Sequence, residues 1–430
     1  MNHGRRTVLG MALLGAVEPL WAAAPAPARK HAQLERELAA IAADPACTLA
    51  SLAVLAIRDG RVVYEGAFGQ RNIALAQPAT PDTLYRIASV SKLMTTLGLM
   101  RLVEDGTFDL DADVSAYLGF ALRNPHFPDR AITLRHLLTH TSSLRDAAGY
   151  SFPAGTSLRS FLVPGSAATY SNTAPPGAYF TYCNLGWGLI GTVMERATGE
   201  RFDRLMRRLL LQPLGLDAGY NPAELPPAAL ANLATLYRKR TVDTEVWDAN
   251  GPWIAQADDT GIRAPAPPPG LQQYVIGENA TPFSPTGGLR ISARGLGVVM
   301  RILLNDGVHD GKRILKTDTL ARMFARQWTA GGDGANGDSM HGFFNAWGLG
   351  NAQFPDRPGM RLVEGFDAVG HLGDAYGLRS VFAFDRARRN GMIVLVGGTS
   401  ADPASSKGRY SALAGFEENI LTSMFRHAIA

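Results

Sequence analysis

A serine and a lysine stand three residues apart in an otherwise apolar stretch, R-I-A-S-V-S-K-L-M-T at residues 86–95. Residues at this spacing share one face of a helix, so the side chains of Ser89 and Lys92 can touch. A hydroxyl beside an amine is a potential nucleophile with its base, provided that burial lowers the pKa of the lysine toward neutral pH. On spacing alone, the more common alternative is a helix-capping serine beside a lysine whose ammonium reaches solvent.

Composition places the chain among ordinary globular proteins. Its 430 residues are 46% hydrophobic and 19% charged, which predicts two or three structural units with a large core. The net charge of +4 is small and scattered, so no nucleic-acid partner is expected. Cys47 and Cys183 lack metal-site spacing and the chain has no H-E-x-x-H, so no metal or organic cofactor is expected. These cysteines form either one disulfide or, more commonly for such a pair, two thiols.

The N-terminus has the features of an export signal. Arg5 and Arg6 precede the apolar run T-V-L-G-M-A-L-L-G-A-V, and the small-residue stretch W-A-A-A-P-A-P-A follows. This pattern predicts a signal peptide over residues 1–28, either of the twin-arginine type or of the general type. No second long apolar run is present, so we expect a periplasmic or secreted protein with no membrane span after signal removal.

The rest of the chain alternates between strand and helix patterns in a way that predicts the fold. Two strand patterns joined by R-D-G come early, and at least three come late, which implies one antiparallel sheet built from both ends of the chain. Helix patterns and proline-rich loops dominate between them. We therefore predict an α/β (α+β) protein, with a sheet domain of residues 29–110 and 286–430 flanked by helices. Residues 111–285 form a mainly helical insert with long loops, and the cleft between the two is the expected ligand site.

With the elements laid out this way, the chain resembles the penicillin-recognising serine hydrolases. The branch concerned contains class C β-lactamases, D-alanyl-D-alanine carboxypeptidases and lactamase-like esterases. The matching segments occur in the family's order and are D-T-L-Y-R-I-A-S-V-S-K, I-T-L-R-H-L-L-T-H-T-S-S-L, P-P-G-A-Y-F-T-Y-C-N-L-G-W-G-L-I-G, P-T-G-G-L-R-I-S, L-L-N-D-G-V-H-D-G-K-R-I-L and G-H-L-G-D-A-Y-G-L-R-S. Several ordered matches are far more specific than one serine–lysine pair. The resemblance implies that Ser89 is the nucleophile and Lys92 belongs to its base system.

The family's second motif, Y-x-N, occurs twice, at residues 170–172 and 182–184. The second is the better match, because P-G-A-Y-F precedes it and a helix pattern follows. The resemblance implies that Tyr182 relays protons together with Lys92, which requires a tyrosine pKa well below its usual value near 10. It implies that Asn184 contacts Lys92 and donates to a substrate oxygen. It stays open which of Lys92 and Tyr182 takes the first proton. The alternatives, a core tyrosine for Tyr182 and a loop amide for Asn184, stay open as well.

The third motif, K-T-G in many relatives, corresponds here to His371, Leu372 and Gly373. By resemblance, Gly373 lets the substrate approach the strand, and the backbone N–H of Asp374 joins that of Ser89 in an oxyanion hole. A histidine at the end of a strand, with one structural hydrogen bond, is the alternative for His371.

The substitution in the third motif bears on the substrate. A lysine and a threonine hydroxyl would suit a substrate carboxylate, whereas His371 is mostly neutral at pH 7 and Leu372 has no hydroxyl. This difference argues against β-lactam hydrolysis, although Arg379 or Arg290 are alternative sources of the missing positive charge.

These observations together predict a secreted serine hydrolase that acts through an acyl-enzyme on a small ester or amide, without a cofactor. The enzymatic alternatives are a D-alanyl-D-alanine carboxypeptidase or D-amino-acid peptidase, with cell-wall peptide as substrate, and a class C-like β-lactamase. A different class of function is a peptidoglycan-binding or sensor protein that is acylated once and does not turn over.

Overall fold

A computed structural model describes residue 1 and residues 31–163, 165, 168–241, 246–259 and 265–430. Residues 2–28 of the predicted export signal lie outside the described residues. The α-helices are α1 (Ala32–Ala42), α2 (Val90–Glu104), α3 (Ser115–Leu118), α4 (Leu134–Leu138), α5 (Leu158–Leu162), α6 (Leu185–Thr198), α7 (Phe202–Met206), α8 (Pro227–Ala231), α9 (Ala293–Leu304), α10 (Thr317–Phe324) and α11 (Gly415–Met424). The strands are β1 (Ser51–Arg58), β2 (Arg61–Asn72), β3 (Gln77–Pro78), β4 (Leu84–Arg86), β5 (Leu236–Arg238), β6 (Ile254–Ala257), β7 (Arg290–Ser292), β8 (Val308–His309), β9 (Lys312–Arg313), β10 (Trp328–Thr329), β11 (Ala346–Trp347), β12 (Ala352–Phe354), β13 (Ala368–Ala375), β14 (Leu378–Asp385), β15 (Asn390–Val396) and β16 (Gly398–Thr399).

One antiparallel sheet of nine strands combines strands from the beginning and the end of the described chain. Its strand order is β10-β11-β12-β13-β14-β15-β1-β2-β3, so the early strand β1 pairs with the late strand β15. A smaller sheet of β16, β5 and β6 and a two-stranded pair of β4 and β7 lie beside it. The predicted fold class, an antiparallel sheet drawn from both chain ends and flanked by helices, is confirmed.

The central strand β1 is buried on both faces because each face has its own helices. Leu52 and Val54 pack in one core with residues of α1 and α11, whereas Ala53 and Leu55 pack in the other with residues of α2 and α9. Successive side chains of a strand point to opposite faces, so a continuous apolar run is what a strand between two layers requires. Helix α2, which follows Ser89, therefore lies in the interior and is buried along nearly its whole length.

Several local predictions differ from the structure in extent. Residues 109–118 have a helix pattern, but only the single turn α3 forms there, and it ends at Gly119 in the left-handed conformation at φ 71°. The helix pattern that follows Asn184 forms α6 over its full length, and α6 ends at Gly199 with φ 68°. Strands β5 and β6, inside the predicted insert, were not expected, because each is short and part of a small sheet. The boundaries of the insert stay a prediction.

Three further expectations concern a disulfide bond, a metal site and a membrane span. Cys47 and Cys183 are both free thiols, so the disulfide alternative is not what the structure has. In the part of the chain that the structure describes, no group of three or more His, Cys, Asp or Glu side chains is arranged to hold a metal ion. Within those same residues, no helix combines the length and apolarity needed to cross a membrane.

Candidate active site

Ser89 occupies the position just before α2 but does not cap the helix. Its side chain makes no capping hydrogen bond, and its Oγ instead accepts from Lys92 Nζ at 3.1 Å. The preceding residue, Ala88, has φ 47°, a left-handed conformation that costs energy for a residue with a Cβ. The hydroxyl is thus directed at the lysine by a strained turn, and the capping alternative is wrong.

Lys92 is fully buried, so its ammonium group does not reach solvent. Besides Ser89, it donates to Asn184 Oδ1 at 2.7 Å and to the Thr286 carbonyl at 3.0 Å. Burial lowers the pKa of Lys92 from 10.5 to about 7, and the negative charge of Asp146 opposes this shift only in part. A large fraction of the lysine is therefore neutral near pH 7, as a general base must be.

Asn184 is held between Lys92 and a carboxylate that sequence reasoning missed. Its Oδ1 accepts from Lys92 and from Thr286 Oγ1 at 2.8 Å, and its Nδ2 donates to Asp146 Oδ2 at 2.9 Å. The predicted contact with Lys92 is present, but one of the two amide hydrogens expected to face a substrate faces Asp146 instead.

Asp146 also anchors the backbone of the second motif. It accepts the backbone N–H groups of Asn184 at 2.8 Å and of Leu185 at 2.9 Å, at the start of α6, and the Cys183 thiol at 3.2 Å. A carboxylate is favourable at a helix N-terminus. The only signal for Asp146 in the sequence was its place two residues after the matched segment that ends at Leu144, and this signal does not specify a partner 38 residues away.

Tyr182 lies in an aromatic cluster beside Ser89 and Lys92. Its ring is 4.4 Å from that of His140 and stacks on that of Phe344 at 5.0 Å, and Lys92 Nζ is 4.9 Å from its centroid. Burial raises the Tyr182 pKa, and a side-chain hydrogen bond with Ser89 offsets only part of that. The shift is therefore opposite to the lowered pKa that the relay role was said to require, because desolvation of the phenolate outweighs its polar contacts.

The other Y-x-N stretch does not face this cluster. The hydroxyl of Tyr170 is buried and donates to the Leu162 carbonyl at 3.1 Å, and Asn172 is exposed. The structure therefore brings Tyr182, and not Tyr170, to Ser89 and Lys92.

His371 is fully buried, which differs from its expected place as a substrate-binding group. Its Nδ1 donates to the Leu372 carbonyl at 2.6 Å, and within the described residues its Nε2 has no hydrogen-bond partner. Burial and the nearby Lys92 lower the His371 pKa to about 3. Because the imidazole is neutral at ordinary pH and packs 5.4 Å from the Trp347 ring, it supplies no cation for a carboxylate. The alternative of a structural histidine with one hydrogen bond describes it better.

Gly373 lets strand β13 approach the start of α2. A Cβ at this position would lie 2.7 Å from the Ile87 carbonyl oxygen and 3.2 Å from the Ser89 nitrogen. Real Cβ atoms do not make the first of these contacts, so any side chain would push the strand away from the serine. Gly373 was predicted to let the substrate approach the strand. In the structure a glycine is needed here because the backbone of β13 lies so close to the backbone of residues 87–89. The next residue, Asp374, belongs to the same strand, and its pairing with Ser89 as oxyanion donor stays a prediction.

Replacing Gly373 with alanine is expected to lower kcat by about a hundredfold or more. The methyl group separates the two backbones, and the loss of one oxyanion donor costs about 10² to 10³ in kcat. Steady-state kinetics with an activated ester measure this, together with thermal unfolding to check the fold. Gly332→Ala is the matched control, since a Cβ at that site meets no atom within 4 Å. A Gly373→Ala enzyme with kcat close to that of the wild type would contradict the proposed oxyanion geometry.

The two arginines considered as substitutes for the missing lysine are both neutralised. Arg379 donates to Glu417 at 3.1 and 2.8 Å and to Asp374 at 2.6 Å. Arg290 makes a two-pronged pair with Asp258 at 3.0 and 2.7 Å. Neither is a free cation for a substrate carboxylate.

Comparison with known proteins agrees with this fold. The model of the family described as Beta-lactamase matches residues 32–416, which is most of the chain. The chain belongs to the beta-lactamase family. This beta-lactamase-family chain is 34% identical to Esterase EstB of Burkholderia gladioli over 191 residues, which is 41% of this chain and 48% of the esterase. It is 27% identical to Penicillin-binding protein 4 of Amycolatopsis lactamdurans over 306 residues, which is 70% of this chain and 71% of that protein.

Solved structures show the same fold at lower sequence identity. The D-amino acid amidase from Ochrobactrum anthropi SV3 superposes with a TM-score of 0.64 at 20% identity, covering 91% of this chain and 99% of the amidase. EstCE1, titled a hydrolase with promiscuous acyltransferase activity, gives a TM-score of 0.64 at 22% identity, covering 93% and 99% of the two chains. The match to EstB spans only about half of that esterase.

Proposed function

We propose that this beta-lactamase-family protein is a serine hydrolase that cleaves small esters or amides through an acyl-enzyme on Ser89. The observation that carries the proposal is the Ser89–Lys92 contact of 3.1 Å, made by a fully buried lysine whose pKa is lowered to about 7. Such a lysine accepts a proton from an adjacent hydroxyl without a metal or a histidine.

In the proposed acylation step, neutral Lys92 takes the Ser89 proton as Oγ forms a bond to the substrate carbonyl carbon. The backbone N–H groups of Ser89 and Asp374 stabilise the tetrahedral oxyanion. The bond to the leaving group then breaks as the leaving group receives a proton through Tyr182, which is reprotonated from Lys92. Since the Tyr182 pKa is raised, we assign the first proton transfer to Lys92 and treat Tyr182 as a neutral relay. In deacylation a water molecule replaces the leaving group, and the same transfers run in reverse.

The third-motif strand favours esters and simple amides over substrates with a carboxylate on the leaving group. The terminal carboxylate of a D-alanyl peptide and the ring carboxylate of a β-lactam both belong to the leaving-group half. At this strand such a group would meet the neutral His371, the apolar Leu372 and an already paired Arg379. The relative named Esterase EstB supports the same choice.

Turnover of 4-nitrophenyl butyrate separates this proposal from its rivals. Continued release of 4-nitrophenol well beyond one equivalent per chain supports a hydrolase. A burst of one equivalent followed by no release would identify the non-turnover binding or sensor protein instead. No release and no covalent adduct would refute the proposed function altogether.

The pH dependence of kcat/KM is expected to show an acidic limb with an apparent pKa of about 7. Lys92 acts only when deprotonated, so the rate rises about tenfold per pH unit below this value and levels off above it. Initial rates from pH 5 to 9, with circular dichroism at each pH as a control for unfolding, test this. A limb near pH 4 to 5, typical of a carboxylate, would contradict the assignment of Lys92 as the base.

We further propose that the chain is exported and acts in the periplasm or outside the cell. The support is in the sequence, where Arg5 and Arg6 precede an apolar run and a small-residue stretch. N-terminal sequencing of the protein from the source cells tests this. A mature chain starting close to residue 29 is expected, and an intact N-terminus would contradict export.

A further inference from the structure

A cluster of two arginines and one carboxylate lies next to Ser89. Arg290 and Asp258 form a two-pronged ion pair whose side chains are each only 8% exposed. Strand β4 pairs with β7 so that Arg86 lies directly opposite Arg290. Asp258 is satisfied by Arg290, so the cluster carries an excess of one positive charge, and that charge is on Arg86.

Arg86 has no ion pair within the described residues. Its Nε donates to the Gly287 carbonyl at 3.2 Å, and its guanidinium carbon lies 4.5 Å from the centroid of the Tyr376 ring. Burial and the neighbouring Arg290 lower the Arg86 pKa, which shows that the positive charge is poorly solvated. A guanidinium has five N–H donors, so most of those on Arg86 are available to an anion.

The backbone contacts place Arg86 close to the catalytic lysine. Lys92 Nζ binds the Thr286 carbonyl and Arg86 Nε binds the Gly287 carbonyl, which belong to consecutive peptide units. Consecutive Cα atoms are only about 3.8 Å apart, so both head groups contact one short segment. Lys92 Nζ also contacts Ser89 Oγ, so Arg86 is linked to the serine through this segment and the lysine.

The ring over Arg86 is fixed by the hairpin that follows the third motif. Ala375 pairs with Leu378, which leaves a two-residue loop of Tyr376 and Gly377 with φ 56° and 89°. Two positive φ values define the type I′ turn, the loop that suits a twisted hairpin. Tyr376 is 45% exposed, and Tyr150, from the predicted insert, is 43% exposed. Burial raises the pKa of Tyr150 and the positive charge of Arg86 opposes this shift, so Tyr150 is close enough to Arg86 for their charges to interact.

We propose that Arg86, with the Tyr376 ring beside its guanidinium, binds a carboxylate on the acyl half of the substrate. The substrate class is thus a monoester or monoamide of a dicarboxylic acid, in which a few carbon atoms separate the carboxylate from the scissile carbonyl. This inference rests on the proposed hydrolase function. Arg86 contacts Gly287 and Tyr376, whereas in the proposed mechanism the leaving group departs beside Tyr182 and its partner Phe344. We therefore assign the carboxylate to the acyl half of the substrate and not to the leaving group. A guanidinium–carboxylate pair of this kind makes charge-assisted hydrogen bonds.

The test compares two substrates with the same leaving group. 4-Nitrophenyl hemiglutarate and 4-nitrophenyl valerate both have five-carbon acyl groups and differ in a terminal carboxylate in place of a methyl. We expect the wild-type enzyme to favour the hemiglutarate by about ten- to hundredfold in kcat/KM, since hydrogen bonds to charged groups contribute about 1.5 to 3 kcal/mol. Arg86→Met should abolish that preference, so that kcat/KM for the hemiglutarate falls by about ten- to hundredfold more than kcat/KM for the valerate.

Arg409→Met is the matched control, since Arg409 is an exposed arginine that lines a different cavity of about 930 Å³, also bordered by Asp374 and Arg379. It should leave the substrate preference unchanged. A preference lost in this variant and kept in Arg86→Met would overturn the assignment.

The remaining outcomes separate failure of this inference from failure of the proposed function. If both esters are hydrolysed equally by the wild type, the inference fails and the hydrolase stands. If neither ester is hydrolysed, the proposed function fails. Should Arg86→Met not fold, the wild-type preference and competitive inhibition by glutarate, set against no inhibition by valeramide, decide the question without it.

Discussion

Ser89→Ala is expected to lower kcat/KM for 4-nitrophenyl butyrate by roughly five to six orders of magnitude, the scale seen when a serine nucleophile is removed. The reason is that the Ser89 hydroxyl is the one placed against Lys92 Nζ, at 3.1 Å. The neighbouring Ser91 cannot take its place, because it is fully buried and its Oγ accepts the Leu289 backbone N–H at 3.1 Å. Steady-state rates at high enzyme concentration measure the loss.

Ser91→Ala is the control for this prediction, and it should keep activity within about tenfold, since it removes a buried hydrogen bond worth about 1 kcal/mol. Both variants should unfold cooperatively near the wild-type temperature. Substantial turnover in folded Ser89→Ala, or its loss in folded Ser91→Ala alone, would contradict the nucleophile assignment.

Lys92→Met is expected to lower kcat/KM by at least about a thousandfold, and Tyr182→Phe by a comparable factor. The double variant should lose little more than Lys92→Met, because the members of one catalytic unit are strongly non-additive. The geometry supports one unit, since Lys92 Nζ contacts Ser89 and lies 4.9 Å from the Tyr182 ring centroid. Kinetics of both single variants and of the double variant complete the cycle. Losses that multiply would show two independent roles.

The stability of the Lys92→Met variant at two pH values is a control for its fold. The direction of the expected change follows from the lowered pKa of Lys92. The folded-state pKa of Lys92 is depressed from 10.5 to about 7, so the unfolded chain binds more protons between these values. Wild-type stability therefore falls as pH decreases through this window, and the full cost of burying the ammonium, at most about 5 kcal/mol, is present below pH 7. Removing the amine should raise the free energy of unfolding at pH 6 relative to the wild type, and much less at pH 10. A destabilised variant at pH 6 would mean that its lost activity reflects misfolding.

The features that the sequence could predict are those set by local pattern. The spacing of Ser89 and Lys92 and the apolar run around them indicate a buried helix with two polar groups on one face. In the structure Lys92 lies in the buried helix α2 and Ser89 lies at the position just before it. Strand patterns early and late in the chain likewise predict a sheet of both ends, and β1 does pair with β15. The pattern of each single element is set within about ten residues, although the pairing itself joins distant segments.

What could not be predicted depends on contacts between distant segments. Asp146 acts through Asn184, 38 residues away, and nothing near either residue specifies the pairing. The expected low pKa of Tyr182 considered a neighbouring ammonium but not burial, which dominates once the ring lies against Phe344. Burial is also the reason that the substrate-binding role expected for His371 does not fit, since it keeps the imidazole neutral.

The pairing of charges was also unpredictable, because a sequence shows which residues are cationic but not which carboxylates they pair with. Arg379 and Arg290 were the expected sources of a free positive charge, and both are paired with carboxylates more than 30 residues away in the sequence. Arg86, which has no ion pair within the described residues, lies in the first matched segment, three residues before Ser89. The helix spacing of Ser89 and Lys92 carries no information about a partner for Arg86.

The most direct test of the central claim is mass spectrometry of the wild-type protein after reaction with a fluorophosphonate. Trypsin cleavage after Arg86 and Lys92 isolates the peptide of residues 87–92, which holds both Ser89 and Ser91. We predict one adduct per chain, placed on Ser89 by fragmentation of this peptide, and its absence from folded Ser89→Ala. An adduct on Ser91 or Cys183, or an active enzyme that is not labelled, would contradict the account.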